Sequence, residues 1–310
     1  MPSRGFARLA LAALLWNLFV IVWGAWVRVS RSGAGCGDHW PRCNGELIPS
    51  SPTVQTLIEF THRATSGVAL ALVAACALWA YRAFAKGHPL RLWAGLSMVF
   101  ILTEALFGAA LVLLRLVAGN TSTTRGWIQA AHLGNTFVLV ACLTLTWWWA
   151  RGGAPTAPRP EVEARRRAVA FGFGAALFVM LLVGMTGGVA ALGDTLFPAR
   201  SLSEGFAQDF DPSAHPLVRL RLWHPVFAAA GSVLTLTVVW GVRAVTRLRA
   251  LTPAAVAVTA LVLAQLALGV LNIALLTPAW LQLAHLFVAD LLWIALVVAA
   301  AVTLRPGGSP

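Results

Sequence analysis

Eight long apolar segments constrain the fold of this chain more than any other feature of its sequence. They cover residues 6–28, 58–81, 92–116, 127–149, 167–192, 219–242, 254–276 and 279–303. A helix of about 20 apolar residues is long enough to cross the hydrocarbon core of a bilayer, and every segment reaches that length. The composition, with 59% hydrophobic and 11% charged residues, excludes an ordinary soluble domain. The sequence therefore predicts an all-α integral membrane protein with eight transmembrane helices.

The basic residues predict how these helices are oriented. In an eight-span topology, 14 of the 23 lysines and arginines fall on one side of the membrane. They are Arg4, Arg8, Arg82, Lys86, Arg91, Arg151, Arg159, Arg165, Arg166, Arg167, Arg243, Arg247, Arg249 and Arg305. Short cytoplasmic loops are enriched in lysine and arginine, so both termini are predicted to be cytoplasmic. The first span resembles a signal peptide in its basic start, but its length and the lack of a clear cleavage site indicate that it is retained.

The net charge of +12 does not indicate a nucleic-acid-binding protein. The excess of basic residues is spread over short loops on one side of the membrane and forms no basic domain. A distribution of this kind is typical of the positive-inside bias and favours contact with anionic lipid headgroups. Membrane lipid is therefore an expected partner, and nucleic acid is not.

The chain repeats itself once, and the repeat predicts how the helices are grouped. RLWHPVFAAAGS around His224 lies 162 positions after IEFTHRATSGVAL around His62. QLALG lies 161 positions after EALFG, and LQLAH, ending at His285, lies 153 positions after IQAAH, ending at His132. Each repeat holds four spans, an even number, so the halves enter the membrane in the same direction and are related by an axis along its normal. We expect two pseudo-symmetric four-helix bundles, residues 1–150 and 167–310, joined by a cytoplasmic linker at residues 151–166.

Four histidines lie near the start of the even-numbered spans. Because these spans all begin on the outer side, the four imidazoles are predicted to lie at similar depth near the outer face. A histidine within a membrane is costly, so four at matching places of a repeat indicate a ligand that needs them. Two imidazoles that face each other across a bundle can bind a heme iron from both sides. The natural pairs are His62 with His132 and His224 with His285.

The residue three positions before the first histidine of a pair is acidic in the first half and basic in the second. Glu59 lies three residues before His62, so the two share a helix face, and the carboxylate is predicted to lie beside a bound heme. The equivalent residue of the second half is Arg221. A carboxylate can take a proton, whereas a guanidinium suits a heme propionate, for which Arg63, Arg219 and Arg221 are the candidates. The alternatives are that Glu59 is a solvated acid at a helix N-terminus and that the arginines anchor helices at the interface.

The cysteines separate by compartment. Cys36 and Cys43 lie in the first outer loop, where an oxidising environment permits a disulfide that closes a small loop. Cys76 and Cys142 lie within apolar helices and are expected to be inert core thiols. We therefore predict one disulfide, between Cys36 and Cys43.

Other residues in the spans give weaker signals. Small residues beside the histidines, where a flat porphyrin needs room, are Gly67, Gly134, Ala228, Gly231 and Ala289. Small residues also mediate ordinary helix packing in membranes. Glu104 matches Gln265 in the repeat, and Asp290 lies about one turn below His285. Each of these two acids either helps proton movement or bonds a neighbouring helix.

In combination, these segments resemble heme A synthases, the enzymes that oxidise heme O to heme A for cytochrome oxidases. The resemblance covers seven of the eight spans and both large outer loops. It is carried by GAWVRVSRSGAGCGDHWPRCNG, IEFTHR, AHLGNT, GGVAALGDTLFP, LRLWHP and LQLAH. It implies an oxidoreductase that converts the C8 methyl of heme O to a formyl group by successive hydroxylations.

The resemblance also implies roles for particular residues. A heme b cofactor is expected between His224 and His285, and the substrate heme O near His62 and His132. The acidic residue three positions before the first histidine, here Glu59, is expected to be catalytic. The implied partners are heme O synthase, an electron acceptor and further copies of the chain, all at a plasma membrane.

Two other classes of protein remain open on the residues alone. A bis-histidine membrane cytochrome of the b type, passing electrons from quinol, needs the same ligands but no carboxylate beside a substrate heme. A heme-independent transporter with two parallel repeats needs neither ligand pair. Identifying the hemes that the protein contains distinguishes a heme A synthase from a cytochrome and from a transporter.

Overall fold

The structure is a computed structural model that describes residues 4–152 and 160–304, and this part of the chain is almost entirely helical. Its helices are α1 (Arg4–Val29), α2 (Val54–Ala83), α3 (Pro89–Leu113), α4 (Thr123–Ala150), α5 (Pro160–Glu163), α6 (Arg166–Leu196), α7 (Leu202–Phe210), α8 (Pro216–Arg221), α9 (Trp223–Thr246), α10 (Thr252–Ala274) and α11 (Ala279–Leu304). A 3-10 turn at Arg249–Leu251 precedes α10.

Within the described ranges, eight segments are long and apolar enough to cross a membrane, which confirms the predicted fold class. α8 and α9 together make the sixth of them, Pro216–Thr246. The expected linker contains the short helix α5, while its residues 153–159, with Arg159 among them, lie outside the described residues, as does Arg305.

The helix ends follow local signals that hydropathy does not register. α2 begins at Val54, before the apolar segment, because the Thr53 hydroxyl accepts a hydrogen bond from the Thr56 backbone N–H (3.2 Å). α3 ends at Leu113, three residues before the predicted end. Arg115 there adopts a left-handed conformation, and the next N–H donates back to the carbonyl of Leu111 (2.8 Å).

The sixth span is broken, although the sequence predicted one helix over residues 219–242. α8 ends at Arg221 and α9 begins at Trp223. Pro225 explains the break, because proline has no N–H to donate to the carbonyl of Arg221 and its ring clashes with that carbonyl. Pro225 is tolerated in the first turn of α9, where the N–H groups lack helical partners.

The helices of each half pack on one another. α1 contacts α2 and α4, and α3 contacts the same two helices; in the second half, α6 and α10 each contact α9 and α11. α4 joins the halves by packing against α6 and α11. There the indole N–H of Trp293 donates to the carbonyl of Phe137 (2.7 Å). This packing agrees with the expected pair of four-helix bundles.

A short amphipathic helix, α7, lies in the connection between α6 and α8, where the sequence predicted only a loop. The Ser201 hydroxyl caps it by accepting a hydrogen bond from the backbone N–H of Glu204 (3.2 Å). Leu202, Phe206 and Phe210, spaced four residues apart, are exposed along one ridge of the helix.

Candidate functional site

The four histidines lie at one end of the helices, which we call the histidine end. It is the end at which α2, α4, α8 and α11 begin, opposite the end that carries most of the arginines. All four imidazoles are half-buried. His62 and His132 lie in the second or third turn of α2 and α4, His285 in the second turn of α11, and His224 directly after the break between α8 and α9.

The structure brings His224 and His285 together. Their ring centroids are 6.4 Å apart, with the ring planes at 86°. Imidazole nitrogens bind metal ions at about 2 Å, so two rings that ligate one ion from opposite sides have centroids roughly 6 Å apart. The observed separation therefore fits a bis-histidine iron site. Thr186 lies 3.3 Å from Nδ1 of His224, and the Gln265 amide nitrogen lies 3.1 Å from Nε2 of His285.

The first pair shares one contact with the second pair and differs in another. An added Cβ at Gly24 of α1 would lie 2.9 Å from Cε1 of His62, as one at Gly187 of α6 would from Cε1 of His224. His132 faces α3, with its Nδ1 3.6 Å from Oε1 of Glu104 and its ring 6.0 Å from that of Phe107.

Three of the four histidines have a ring nitrogen in need of a partner. No described residue forms a hydrogen bond with the buried Nδ1 atoms of His62, His132 and His285. A buried polar atom without a partner is costly, and ligand binding or a small side-chain movement would satisfy these atoms.

Protein side chains alone do not form a metal centre here. In the part of the chain that the structure describes, no group of three or more His, Cys, Asp or Glu side chains is arranged to hold a metal ion. A heme iron takes four ligands from the porphyrin and needs only axial ligands from the protein. The paired histidines therefore fit heme better than a bare metal ion.

Glu59 is buried and paired with the first loop. One carboxylate oxygen accepts a hydrogen bond from the backbone N–H of Cys36 (2.8 Å), and the other accepts one from the Arg63 guanidinium (2.5 Å). Arg63 also donates to the carbonyls of His39 (2.6 Å) and Arg42 (2.7 Å). Glu59 and Arg63 thus attach the start of α2 to the loop, which excludes the alternative that Glu59 is a solvated surface acid.

The predicted disulfide is confirmed. Cys36 and Cys43 are bonded to each other, and both are buried. Cys76 and Cys142 are free and buried within α2 and α4, as expected. The disulfide closes the loop segment whose backbone binds Glu59.

The arginine that replaces Glu59 in the second half is also held by the protein. Arg221 bonds Asp209 of α7 and lies 3.2 Å from Asp194, at the end of α6. Its remaining nitrogen donates to the amide oxygen of Gln208 (3.0 Å). Arg219 is exposed and donates to the carbonyl of Pro212 (3.4 Å), and its charge also acts on the carboxylate of Asp211. Sequence reasoning missed the partners of Arg221, because they come from two other elements.

Two of the small residues that were expected to make room for a porphyrin serve helix packing instead. An added Cβ at Gly134 would lie 3.1 Å from the sulfur of Met185, and one at Gly231 would lie 3.1 Å from Val183. Both contacts are with α6, so these glycines allow α4 and α9 to approach that helix. An added Cβ at Gly67, in contrast, meets no described atom within 4 Å.

Two further carboxylates were singled out in the sequence. Glu104 accepts hydrogen bonds from Asn135 and Thr136 of α4, beside His132. Asp290 is fully buried, and neither of its carboxylate oxygens has a hydrogen-bond partner among the described residues. The Glu104 contacts therefore connect it to a histidine pair, whereas Asp290 shows no such connection.

Comparison with known proteins gives a consistent family. The sequence model of a family described as "Cytochrome oxidase assembly protein" matches residues 7–297, nearly the whole chain. The heme A synthase of Exiguobacterium sibiricum is 34% identical over 128 residues, which is 41% of this chain and 40% of that protein. The heme A synthase of Lysinibacillus sphaericus is 40% identical over 104 residues, 34% of each chain. The resemblance to heme A synthases is thereby confirmed.

A longer relative matches the chain from end to end. A Thermus thermophilus protein named protoheme IX farnesyltransferase is 47% identical over an alignment of 313 residues. The alignment covers 99% of this chain but 50% of the relative, so the chain spans half the length of that protein.

Proposed function

The chain belongs to the family of cytochrome oxidase assembly proteins, and we propose that it is a heme A synthase. In this proposal it is a membrane oxidoreductase that oxidises the C8 methyl of heme O to a formyl group by successive hydroxylations. The observation that carries the proposal is the pair of rings, His224 and His285, at a separation that fits bis-histidine ligation of a heme iron. The family match and the second histidine pair support it.

The two halves are assigned different hemes. Residues 167–310 would hold a heme b cofactor, with His224 and His285 as the residues that bind its iron, and the cofactor would supply electron transfer. Residues 1–150 bind the substrate heme O near His62 and His132, and residues 151–166 link the halves. The position three residues before the first histidine is acidic in the first half (Glu59) and basic in the second (Arg221), which supports placing the oxidation in the first half.

Glu59 is proposed as the catalytic group of the first half. Its position three residues before His62 puts it on the helix face that a heme bound by His62 would use. The backbone N–H of Cys36 and the guanidinium of Arg63 hold the carboxylate in place. A carboxylate held in this way can take or return a proton as the substrate methyl is oxidised.

Arginines at the histidine end are proposed to bind the heme propionates, and their contacts within the protein indicate which of them is most available. Arg63 and Arg221 each bond at least one carboxylate of the protein, so a propionate would have to share or replace that partner. Arg219 is exposed, and its one hydrogen bond to a described residue is a long one, to a carbonyl, with Asp211 as a charged neighbour. Arg219 is thus the arginine most ready to bind a propionate.

The proposal also covers the orientation of the protein in the membrane and its partners. The arginine-rich end faces the cytoplasm, both termini are cytoplasmic, and the hemes lie near the outer face of the plasma membrane. A heme O synthase is the proposed source of substrate, and the twofold length of the relative named protoheme IX farnesyltransferase is consistent with such a partner. An electron acceptor and self-association complete the proposed set of partners.

Identification of bound and produced hemes tests the proposal. Wild-type protein and a His62→Ala variant are each produced in cells that supply heme O, and the extracted hemes are separated by chromatography. We expect the wild type to contain heme b and to form heme A, and the variant to keep heme b while heme O accumulates. Heme b without conversion of heme O would identify an electron-transfer cytochrome instead, and no stoichiometric heme would identify a transporter.

A further inference from the structure

A polar cluster connects α3 to α4 directly below His132. The Asn135 amide donates to Oε2 of Glu104 (2.6 Å), and the Thr136 hydroxyl donates to Oε1 (2.5 Å). Thr103 donates to the amide oxygen of Asn135 (2.6 Å), and the same Asn135 amide nitrogen reaches the carbonyl of Phe100 (2.9 Å). The cluster fixes the Glu104 carboxylate in one orientation.

This orientation brings Oε1 of Glu104 to 3.6 Å from Nδ1 of His132. A carboxylate has about four lone-pair sites, and the contacts from Asn135 and Thr136 leave Oε1 able to accept another hydrogen bond. Nδ1 of His132 is buried and lacks a partner among the described residues. A small rotation of either side chain would complete the bond, as often happens when a site binds its ligand.

The second half has no such cluster. By the offsets of the repeat, the equivalents of Thr103, Glu104, Asn135 and Thr136 are Ala264, Gln265, Val288 and Ala289. The amide nitrogen of Gln265 lies near Nε2 of His285, the other ring nitrogen. The carboxylate at Nδ1 of a histidine is therefore a property of the first half alone.

We propose that Glu104 is a positioning residue for the substrate heme, accepting a hydrogen bond from Nδ1 of His132. This inference rests on the proposed function, in which His132 is a heme ligand. A carboxylate bonded to Nδ1 fixes the tautomer and ring orientation, so that Nε2 faces the metal, and it makes the imidazole a stronger electron donor. His132 then favours the ferric state of the substrate heme more strongly than His285 favours that of heme b.

A substitution that keeps the shape of the cluster tests this role. Glu104→Gln retains an amide oxygen for Thr136 or Asn135 but removes the carboxylate from His132. Loss of an outer-shell partner typically lowers metal affinity about 10- to 100-fold. We expect ferric heme O, titrated into detergent-purified protein that retains heme b, to bind to the variant with an affinity reduced by that factor. The midpoint potential of the first-half heme should also become more positive, while that of heme b stays unchanged.

Thr103→Val is the matched structural control. It removes the hydrogen bond from Thr103 of α3 to Asn135 of α4 but leaves both donors to Glu104, and so leaves its Oε1 beside His132. If Glu104 only connects the two helices, Thr103→Val will change the heme O affinity and the potential as much as Glu104→Gln does, which would overturn the proposal.

A third variant separates this inference from the proposed function. His132→Ala should abolish the low-spin spectrum of heme O in the first half. If it does not, the ligand assignment in the proposed function is wrong. If it does, and Glu104→Gln changes neither affinity nor potential, the ligand assignment stands and the positioning role of Glu104 is refuted.

Discussion

The two halves share a scaffold but arrange the residues before their first histidine in different ways. In the first half α2 is continuous, and Glu59 and Arg63 bind the disulfide loop. In the second half the helix breaks before His224, and Arg221 binds two acids from α6 and α7. A repeat can therefore keep its histidines in place while the adjacent residues acquire different contacts.

The second histidine of each pair shows the same divergence. His132 lies beside a carboxylate that is fixed by two polar neighbours, whereas His285 contacts a neutral amide. Charge placed beside a ligand changes what a bound heme can do, because it alters how strongly the ligand donates electrons. The first half thus has a carboxylate at the second histidine of its pair and the second half has an amide, a difference that agrees with the separate roles proposed for the halves.

The largest expected effect is loss of the resident heme. Either His224→Ala or His285→Ala deletes an axial ligand of the closed pair, so we expect the low-spin heme b spectrum to disappear from the purified protein. The matched control is His88→Ala, because His88 caps α3 at the opposite end and belongs to neither pair. Both ligand variants retaining an unchanged spectrum would contradict the pairing.

The second effect concerns chemistry in the first half. Glu59→Gln preserves the size of the side chain but removes its proton-carrying group, so heme A formation should fall by about 10²- to 10⁴-fold. Heme b should be retained, and heme O or its hydroxylated product should accumulate in extracts. Glu46→Gln, at an exposed acid of the first loop, which contacts Glu59, is the control. An unchanged rate in the Glu59 variant would direct the search for a proton-carrying group to Glu104.

Much of this comparison could be predicted from the sequence. Hydropathy located all eight spans, the repeat placed the four histidines at one end, and the first loop indicated the disulfide between Cys36 and Cys43. These features depend on neighbouring or regularly spaced residues, so the sequence alone is enough to predict them. The break after Arg221 could also have been predicted, because Pro225 disfavours a continuous helix through this position.

The contacts of the charged residues could not be predicted in the same way. The partners of Arg221 come from α6 and α7, and α7 itself has no strong hydropathy signal. The link between Glu104 and His132 depends on how α3 and α4 are rotated about their axes, which the repeat does not specify. For the same reason Gly134 appeared to flank a porphyrin, when it packs against α6.

The third effect is smaller and concerns the loop. In a Cys36→Ser, Cys43→Ser double variant the loop loses its covalent closure, and the backbone N–H that binds Glu59 becomes less ordered. A hydrogen bond to a charged group contributes about 1.5–3 kcal/mol, so weakening it should reduce heme A formation by roughly tenfold. The heme b content, measured by absorbance per protein, should change little. Replacing the free buried cysteine Cys76 with alanine is the control, and an equal loss of heme b would contradict a local role for the disulfide.

The smallest expected effect tests why the two halves differ in helix continuity. Pro225→Ala restores the N–H that can donate to the carbonyl of Arg221, so α8 and α9 should join as α2 does. Hydrogen–deuterium exchange should then slow at residues 222–226, and Arg221 should release Asp209, exposing α7 to protease. Because His224 remains on the same helix and faces the same neighbours, heme b affinity should change by less than the roughly 10- to 100-fold that loss of a ligand's partner costs. Unchanged exchange would show that packing against α7, and not the proline, breaks the helix.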